Sequence, residues 1–319
     1  MASFNDKAVS KRKAHGSARA LSALFFLIVF GLICTACVVK DLEKEVEEQL
    51  ENGELTPVVI QPDSTVKIDV IVKTGDGMEN RCGGWSGQGC AIHDKVLYRI
   101  YDTGLCQTFD ISDLAHPAKI DSFALGSHMT SNHGNCAQSC VDTAGNVFLY
   151  VSGLKGRCFV EWVTPHASLL VQSITLMPLD IFGQSVSLNM ICGDDGYLWI
   201  FGSGGDKLYF AKARKPDIQE SNVILGENDI LDYWTEDGYE YNKDVWQGGM
   251  VYNGFLYFLF GAYGPFAHLV VYNVKTHERV KDIDLSSVVR EEPEDCELIP
   301  EGILIVTNGG SNYYLVRPE

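Results

Sequence analysis

The sequence has few basic residues and lacks the short motifs that mark several large enzyme classes. It contains 25 Lys and Arg against 42 Asp and Glu in 319 residues. No G-x-S-x-G motif, P-loop or dinucleotide-binding fingerprint stands in the required context, and the glycines of 202–205 open no helix. The eight cysteines after residue 37 come with no C-x-x-C pair or histidine cluster, which disfavours a zinc site. We therefore expect no cofactor.

The charge balance excludes one class of partner. Residues 1–36 hold five Lys and Arg and one Asp, so the remainder keeps 20 basic and 41 acidic residues, a net charge of −21. A surface of this sign repels the phosphates of nucleic acid and of anionic lipid. It suits a neutral or cationic ligand, or serves solubility alone. We expect no nucleic-acid partner.

The N-terminal residues have the pattern of an export signal. Three cations at 11–13 precede an apolar run that begins at Leu21 and ends at Cys37. The C-T-A-C ending resembles a bacterial lipobox, in which small residues precede a cysteine that receives lipid and becomes the new N-terminus. We predict that residues 1–36 are a lipoprotein signal peptide and that Cys37 is lipidated. The alternative is an uncleaved signal anchor, because the run is just long enough to span a bilayer.

An acidic segment at 37–57 follows the lipidation site. Leu42, Val46 and Leu50 recur every four residues, which is compatible with a short amphipathic helix. We predict a solvated tether, helical in part, that lifts the rest of the chain off the membrane.

From residue 58 onward the pattern is all strand and repeats five times. Each unit has a polar start, an apolar strand, a tight turn rich in Gly, Asn or Asp, a second apolar strand and then glycine. The second strands align on Leu97, Leu149, Leu198, Leu256 and Leu304. These leucines are 52, 49, 58 and 48 residues apart, and two more strands follow in three of the units. Repeats of this kind are typical of propeller blades, so we predict an all-β, five-bladed β-propeller over 58–319.

The fifth unit ends at Glu319 after about two strands and needs further strands to complete it. The alternating run at 67–73 can supply one, and closing the ring with this N-terminal strand removes two exposed sheet edges. The competing architecture, a two-sheet sandwich, would not require five equivalent units. Residues 228–244, rich in acidic and aromatic residues, predict a surface loop inserted between blades three and four.

Polar residues begin the first strand of each predicted blade, and these starts should converge on one mouth of the central channel. Nine positions before the reference leucine, four units carry an amide or an acid, and the equivalent start of blade two is the N-H-G-N segment at 132–135. The predicted ligand-binding residues are Gln88, His133, Asn189, Gln247 and Glu294. Glycines that follow three of them should let the backbone approach its neighbours closely near the axis.

Two interpretations of this polar ring compete. In one, the side chains cap strand ends and join the blades through hydrogen bonds. In the other, they line a funnel with aromatic rims from Trp85, Trp246 and Tyr263, which suits a sugar or another small polar ligand. We favour binding because the starts differ from blade to blade, whereas a purely structural repeat would tolerate one residue type throughout.

Catalysis is the less favoured interpretation. A glycoside hydrolase needs two carboxyl groups that flank the sugar, whereas the acids here cluster in blade five at Glu292, Glu294 and Asp295. A channel metal held by His133 and Glu294 with amide oxygens is a further alternative. We predict no catalytic residue and no metal ligand.

The cysteines allow two short-range pairs in an oxidising compartment. Cys136 and Cys140 are close enough in sequence to pair across a loop, and Cys82 and Cys90 form a second candidate pair. Spacing alone does not fix the connectivity.

Several segments resemble one group of proteins. The exported N-terminus, N-H-G-N-C-A-Q at 132–138, Q-G-G-M-V-Y-N-G-F-L-Y at 247–257, E-P-E at 292–294 and the closing stretch 302–316 are similar to uncharacterised β-propeller lipoproteins of Gram-negative gut anaerobes. The likeness covers about residues 80–319. It implies a propeller and a lipid anchor, and it brings no established activity.

These inferences define the expected function. We expect a non-catalytic protein, held by lipid to a membrane of the cell envelope, most simply the outer membrane of a Gram-negative bacterium. It would bind a carbohydrate-like or other small polar ligand at the channel mouth. The alternatives are a scaffold for an envelope protein partner, which would use the blade faces, and a glycan or metal-assisted hydrolase.

The lipid anchor has a direct test. Intact-mass analysis of the protein from its native membrane should show a chain that begins at Cys37 and carries lipid. A Cys37→Ser variant should lose the lipid mass, whereas Cys34→Ser should keep it. An unlipidated chain running from Met1 to Glu319 would contradict this prediction.

Overall fold

Strands dominate the computed structural model, which describes residues 65–72, 81–82, 85–130, 132–177, 187–240, 245–262, 266–308 and 312–319. These residues belong to one compact unit, Pro57–Glu319. In chain order the strands are β1 (Val66–Val72), β2 (Arg81–Cys82), β3 (Trp85–His93), β4 (Val96–Tyr101), β5 (Leu105–Asp110), β6 (Ala118–Ala124), β7 (Ala137–Val141), β8 (Val147–Gly153), β9 (Arg157–Thr164), β10 (Ala167–Leu176), β11 (Ser187–Cys192), β12 (Leu198–Gly204), β13 (Lys207–Ala213), β14 (Asn222–Leu225), β15 (Ile230–Asp237), β16 (Trp246–Tyr252), β17 (Phe255–Phe260), β18 (His268–Asn273), β19 (Glu278–Asp284), β20 (Pro293–Ile299), β21 (Gly302–Thr307) and β22 (Tyr313–Pro318). Two short 3-10 helices lie at Asp102–Gly104 and Glu227–Asp229.

The strands form five small sheets that are the blades of a β-propeller. Blade one has the order β2-β3-β4-β5-β6, blade two β7-β8-β9-β10-β14, blade three β11-β12-β13-β15, blade four β16-β17-β18-β19 and blade five β20-β21-β22-β1. Within each blade, neighbouring strands are antiparallel except β10 and β14, which are parallel. The prediction of an all-β, five-bladed propeller is therefore confirmed.

The ring is closed by the N-terminal strand. Val66 of β1 pairs with Pro318 of β22, and the antiparallel register continues to Val72 opposite Tyr313. Asp69 forms an ion pair with Arg317 of β22 at 2.6 Å and another with Lys67 of its own strand at 2.9 Å. Since β1 covers the edge of β22, the last blade combines both ends of the propeller sequence, as predicted.

The prediction for residues 228–244 was wrong over most of its described part. Residues 230–237 form β15, the outer strand of blade three, and pair with β13 from Lys207 opposite Asp237. Alternate residues of β15 are exposed, because an outer strand meets the next blade on one face only. That pattern gives the strand a loop-like composition. The four-strand repeat is instead extended by β14 at the edge of blade two and by the short β2 at the edge of blade one.

The core lies between the faces of neighbouring blades. Between blades three and four the rings of Phe201 and Phe258 meet edge to face at 5.0 Å, and the ring of Phe210 lies 4.8 Å from that of Tyr272. The apolar run F-L-Y-F-L-F of β17 is buried almost throughout because both faces of its sheet are covered. Aromatic packing of this kind fixes the position of each blade against the next.

Some predictions fall outside the described residues. They concern the signal segment, the lipidation site Cys37, the tether at 37–57 and Tyr263. Among the residues that the structure describes, no helix has the length and apolar character needed to cross a membrane.

Closure by β1 should contribute measurably to stability. Ile68 packs against the core between blades four and five, whereas Val70 on the same strand is 41 % exposed. Ile68→Ala should lower the free energy of unfolding in urea by about 1–2 kcal/mol, because it removes part-buried methyl groups. Val70→Ala, the matched β-branched control, should change it by less than about 0.5 kcal/mol. Equal effects of the two substitutions would show that β1 does not close the ring in solution.

Candidate functional site

A cavity of about 530 Å³ opens where the first strands of the blades begin. Blade one contributes Gln88, blade three Asn189, blade four Gln247 and blade five Glu294, and His133 precedes the first strand of blade two. The structure thus brings all five predicted residues to one cavity wall. Whether they bind a ligand stays a prediction.

Three of these residues share a local backbone feature. The pairing register of the innermost strand shifts between Gly87 and Cys90 in blade one, between Trp246 and Gly249 in blade four and between Pro293 and Asp295 in blade five. The polar residues inside these shifts are Gln88, Gln247 and Glu294. A β-bulge leaves a residue out of the ladder and re-aims its side chain. The bulges therefore explain how three inner strands present polar groups to the cavity.

Glycines beside the bulges allow the blades to meet at the axis, as predicted. The Gly89 N–H donates to the Gly134 carbonyl at 2.5 Å, and a Cβ on Gly89 would lie 2.4 Å from that oxygen. A Cβ on Gly248 would lie 2.4 Å from Asp295 Oδ1 and 2.6 Å from the Glu294 carbonyl. Any larger residue at these two positions would push neighbouring blades apart.

The floor of the site is organised by Asp295, which is completely buried. Its Oδ2 accepts hydrogen bonds from Cys90 N of blade one at 2.9 Å and Ala137 N of blade two at 3.0 Å. The Cys136 sulfur lies 3.5 Å from Oδ1 and accepts from Gly249 N of blade four at 3.3 Å. Burial raises the pKa of Asp295 to about 7, against the lowering effect of these donors. One carboxyl group thus connects four blades.

Asn189 joins blade three to blades two and four. Its Oδ1 accepts from Ser152 Oγ of blade two at 3.0 Å and from Asn135 Nδ2 at 3.3 Å, and its Nδ2 donates to the Gln247 carbonyl at 3.1 Å. The side chain is almost fully buried. These contacts favour a structural role for Asn189, which carries no bulge.

Gln247 and Glu292 form a hydrogen-bonded group on the wall between blades four and five. Gln247 Nε2 donates to Glu292 Oε1 and to the Gly261 carbonyl, both at 2.9 Å. Asn308 Nδ2 donates to the other Glu292 oxygen. Gln247 Oε1 has no partner within the described part of the chain and remains available to a ligand.

Glu294 is the buried acid of the cavity. Burial raises the pKa of Glu294 well above its usual range, and the neighbouring Glu292 carboxylate raises it further, while Arg99 and a hydrogen bond with Asn308 act in the opposite direction. Burial therefore favours the protonated form of Glu294, which can donate a hydrogen bond. Glu292 and Glu294 lie side by side, since Asn308 contacts both.

His133 is oriented by a carboxylate from blade one. Its Nδ1 lies 2.7 Å from Asp102 Oδ1, and both side chains are partly exposed. Nε2 makes no hydrogen bond with any described residue. Because the contact with Asp102 fixes the orientation of the imidazole ring, Nε2 is positioned to hydrogen-bond to a ligand.

Gln88 presents a second amide. Its side chain makes no hydrogen bond within the described ranges, although only 7 % of the residue is exposed. Beneath it the buried Arg99 guanidinium donates to the carbonyl of Gln88, to that of Gly89 at 2.9 Å and to that of Thr307 at 2.7 Å. Arg99 thereby holds the bulge of blade one against blade five.

The outer wall comes from blades two to four. Trp246 and Tyr239 line it, together with Leu154 and Lys155 from the β8–β9 turn, and the Tyr239 hydroxyl accepts from Trp246 N at 3.2 Å. Trp246 was expected at the rim, but Trp85, 39 % exposed, does not line the cavity.

Several cavity residues were missed from the sequence. Tyr239 was assigned to a surface loop, while Asn308 and Lys155 lie on turns that give no local signal. Glu292 was noted only as an acid beside Pro293. The recurrent Gln-Gly before Cys90 and Gly249 was the visible signal of the bulges, whereas the partner of each side chain depends on blade-to-blade contacts.

The cysteine predictions were wrong at the described positions. Cys90 and Cys136 are free and buried at the axis, and Cys140 is free and half-buried. Cys136 points toward Asp295 and blade four, so it does not face Cys140. Among the described residues, no group of three or more His, Cys, Asp or Glu is arranged to hold a metal ion.

Comparisons with known proteins assign neither a family nor an activity to this chain. No protein-family model matches the chain, and no curated protein matches it. Glutaminyl cyclase of Myxococcus xanthus is similar with 13 % identity and a TM-score of 0.45 over 72 % of this chain and 89 % of that one. A Bacteroides caccae protein of unknown function gives 11 % and 0.40 over 71 % and 72 %. An engineered GH43 glycoside hydrolase with endo-xylanase and exo-arabinofuranosidase activity gives 11 % and 0.43 over 73 % and 50 %. At these values no activity transfers to this chain.

The buried acids of β20 predict a pH-dependent stability. Burial raises the pKa of Glu297 well above its ordinary value, Asp295 raises it further, and one Glu297 oxygen has no hydrogen-bond partner. The unfolded chain releases this proton first as the pH rises above about 4.5, so the free energy of unfolding should fall with rising pH. Glu297→Gln should flatten this fall by about 1 kcal/mol per pH unit between pH 5 and 7 and be the more stable protein at pH 8.

Urea unfolding at several pH values measures this difference. Glu301→Gln, an exposed change on the neighbouring β20–β21 turn, is the control and should leave the curve unchanged. Parallel curves for the wild type and Glu297→Gln would show that Glu297 is ionised in the folded protein.

Proposed function

We propose that the cavity binds a small, polar, predominantly uncharged ligand of carbohydrate-like character. The observation that carries this proposal is the set of three inner-strand bulges, which direct Gln88, Gln247 and Glu294 into one space. Structural hydrogen bonding does not use all of their polar atoms. Few converging polar groups in a shaped cavity are typical of small-ligand sites.

The available groups match a hydroxyl-bearing ligand. The Gln88 amide offers donors and an acceptor, Gln247 Oε1 is an acceptor, and His133 Nε2 can serve as either, according to its tautomer. Trp246 and Tyr239 supply aromatic surface, on which the C–H face of a sugar ring can pack. The raised pKa of Glu294 disfavours a second negative charge in the cavity, which favours a neutral ligand over a cation.

We propose further that the propeller works outside the cytoplasm, tethered through lipid on Cys37. The support for this is the export pattern of the sequence. A scaffold for an envelope protein partner is the alternative use of such a tethered domain.

Hydrolysis is the second candidate, and one observation favours it. The pKa of Glu294 is raised beside Glu292, and neighbouring carboxyl groups in different environments are the usual arrangement of an acid and base pair. Against it, both groups come from blade five, so they do not flank a ligand in the manner of glycosidases.

A glycan array followed by thermal-shift titration tests the binding proposal. Gln88→Ala and Gln247→Ala should each weaken the affinity for a glycan hit about tenfold, because each removes one hydrogen bond to the ligand. Glu294→Ala should also weaken it, whereas Glu294→Gln should retain it, because burial favours the neutral acid and an uncharged amide of similar shape replaces it. Gln219→Ala, an exposed glutamine away from the cavity, is the control and should have no effect.

The outcomes separate the candidates. Affinity that survives both Gln247→Ala and Glu294→Ala would place binding elsewhere and overturn the proposal. Turnover of a glycan that is lost in Glu294→Gln would establish the hydrolase instead. A protein partner retained by all variants in pull-down, with no glycan hit, would favour the scaffold.

A further inference from the structure

A second chemically distinctive group lies at the other end of the inner strands, away from the cavity. Asn189 of β11 lines the cavity, and Cys192 is the last residue of the same strand. Cys140 stands near the end of β7, the first strand of blade two. The loop after β13 brings Lys215 to the same place, so that two thiols and one cation meet between blades two and three.

The contacts within this group are direct. Lys215 Nζ lies 3.4 Å from Cys140 Sγ and 5.9 Å from the centre of the Tyr150 ring. The Cys192 thiol lies 3.4 Å from the Gly193 carbonyl, and Cys140 packs against the core cluster that contains Cys192. Cys192 is fully buried, whereas Cys140 is half-buried.

These surroundings stabilise negative charge on one sulfur. The hydrogen bond from Cys192 lowers the pKa of the Cys140 thiol to about 6, and Lys215 lowers it as well, against the raising effect of burial. The same interactions, with burial, raise the pKa of Cys192. Cys140 therefore carries the thiolate and Cys192 the proton, and a thiolate is the nucleophile in disulfide exchange.

The other free cysteines are unlike Cys140. Within the described part of the chain, Cys90, Cys106, Cys136, Cys158 and Cys296 are completely buried. Burial raises the pKa of Cys158, which lies in the same core as Cys192. Among the described cysteines, only Cys140 is both partly exposed to solvent and in contact with a cationic side chain.

We propose that Cys140 is a nucleophilic thiol that exchanges with low-molecular-weight disulfides and that Cys192 resolves the product into a Cys140–Cys192 disulfide. The Cys140 thiolate attacks the disulfide R–S–S–R, forms Cys140–S–S–R and releases one thiolate, R–S⁻. The Cys192 sulfur then attacks Cys140 Sγ, its proton passes to the departing sulfur, and R–SH leaves. Two protein thiols are oxidised, the small disulfide is reduced to two thiols, and the new bond joins blades two and three.

Oxidised glutathione is a suitable probe for the full-length protein. Trypsin places Cys140 on the peptide 120–155 and Cys192 on the peptide 158–207. Non-reducing mass spectrometry of the treated wild type should therefore show these two peptides cross-linked. Cys192→Ala should instead accumulate a glutathione adduct on peptide 120–155, and Cys140→Ser should show neither product.

Matched controls exclude the other cysteines on these peptides. Cys158→Ala removes the second thiol of peptide 158–207 and should leave the cross-link intact. Fragmentation of the cross-linked species should assign the bond to Cys140 rather than to Cys136, the other cysteine on peptide 120–155. A cross-link that survives in Cys140→Ser, or that disappears in Cys158→Ala, would overturn the assignment.

Alkylation kinetics give a readout that does not depend on disulfide formation. Iodoacetamide should modify Cys140 of the wild type with a half-maximal rate near pH 6, and Lys215→Met should lower the rate at pH 7 about threefold or more because it removes the stabilising charge. Arg214→Met, which removes the adjacent exposed cation, should leave the rate unchanged. A wild-type profile that rises only above pH 8, with no cross-link after glutathione treatment, would refute the proposal.

Discussion

The structure depends on one buried carboxyl group at the centre of the ring. A propeller has no continuous core across its axis, so the inner strands must be joined there by polar contacts. Asp295 supplies them by accepting backbone N–H groups from blades one and two while the Cys136 sulfur links it to blade four. Asn189 adds blade three. Removing a buried acceptor of this kind leaves several donors unsatisfied, which is among the costliest changes a folded protein can suffer.

This axial constraint also shapes the cavity. Three of the inner strands that meet around Asp295 bulge just before they reach it. The bulged residues therefore turn away from the axis into the open mouth. The hydrogen bonds of the Asn189 side chain join neighbouring blades, whereas Gln88 and Gln247 keep polar atoms that can bind a ligand. The structural interpretation of the polar starts thus suits Asn189, and the ligand-binding interpretation suits Gln88 and Gln247.

The parts that could be predicted from the sequence are those with local signals. Turn residues and paired apolar strands repeat with a period that identifies blades, and a polar position at fixed distance from Leu97, Leu198 and Leu256 locates the mouth. Non-local features escaped prediction. The outer strand Ile230–Asp237 alternates between the next blade and solvent and so has a loop-like composition. The neighbours Cys140 and Cys192 are 52 residues apart, and no spacing rule brings them together. The short-range cysteine pairs failed for the same reason, because strand direction rather than sequence distance decides what a side chain meets.

The closure of blade five determines when the propeller can complete its folding. The strand Val66–Val72 gains its hydrogen-bonding partner only when Tyr313–Pro318, the last strand that the structure describes, is in place. Contacts between such distant segments slow folding, because the intervening chain must first be ordered. Blades one and four each consist of strands that are consecutive in the chain, whereas the ring closes only when β1 pairs with β22. The hydrogen bonds that join Val66–Val72 to Tyr313–Pro318 are therefore among the last contacts of the propeller to form.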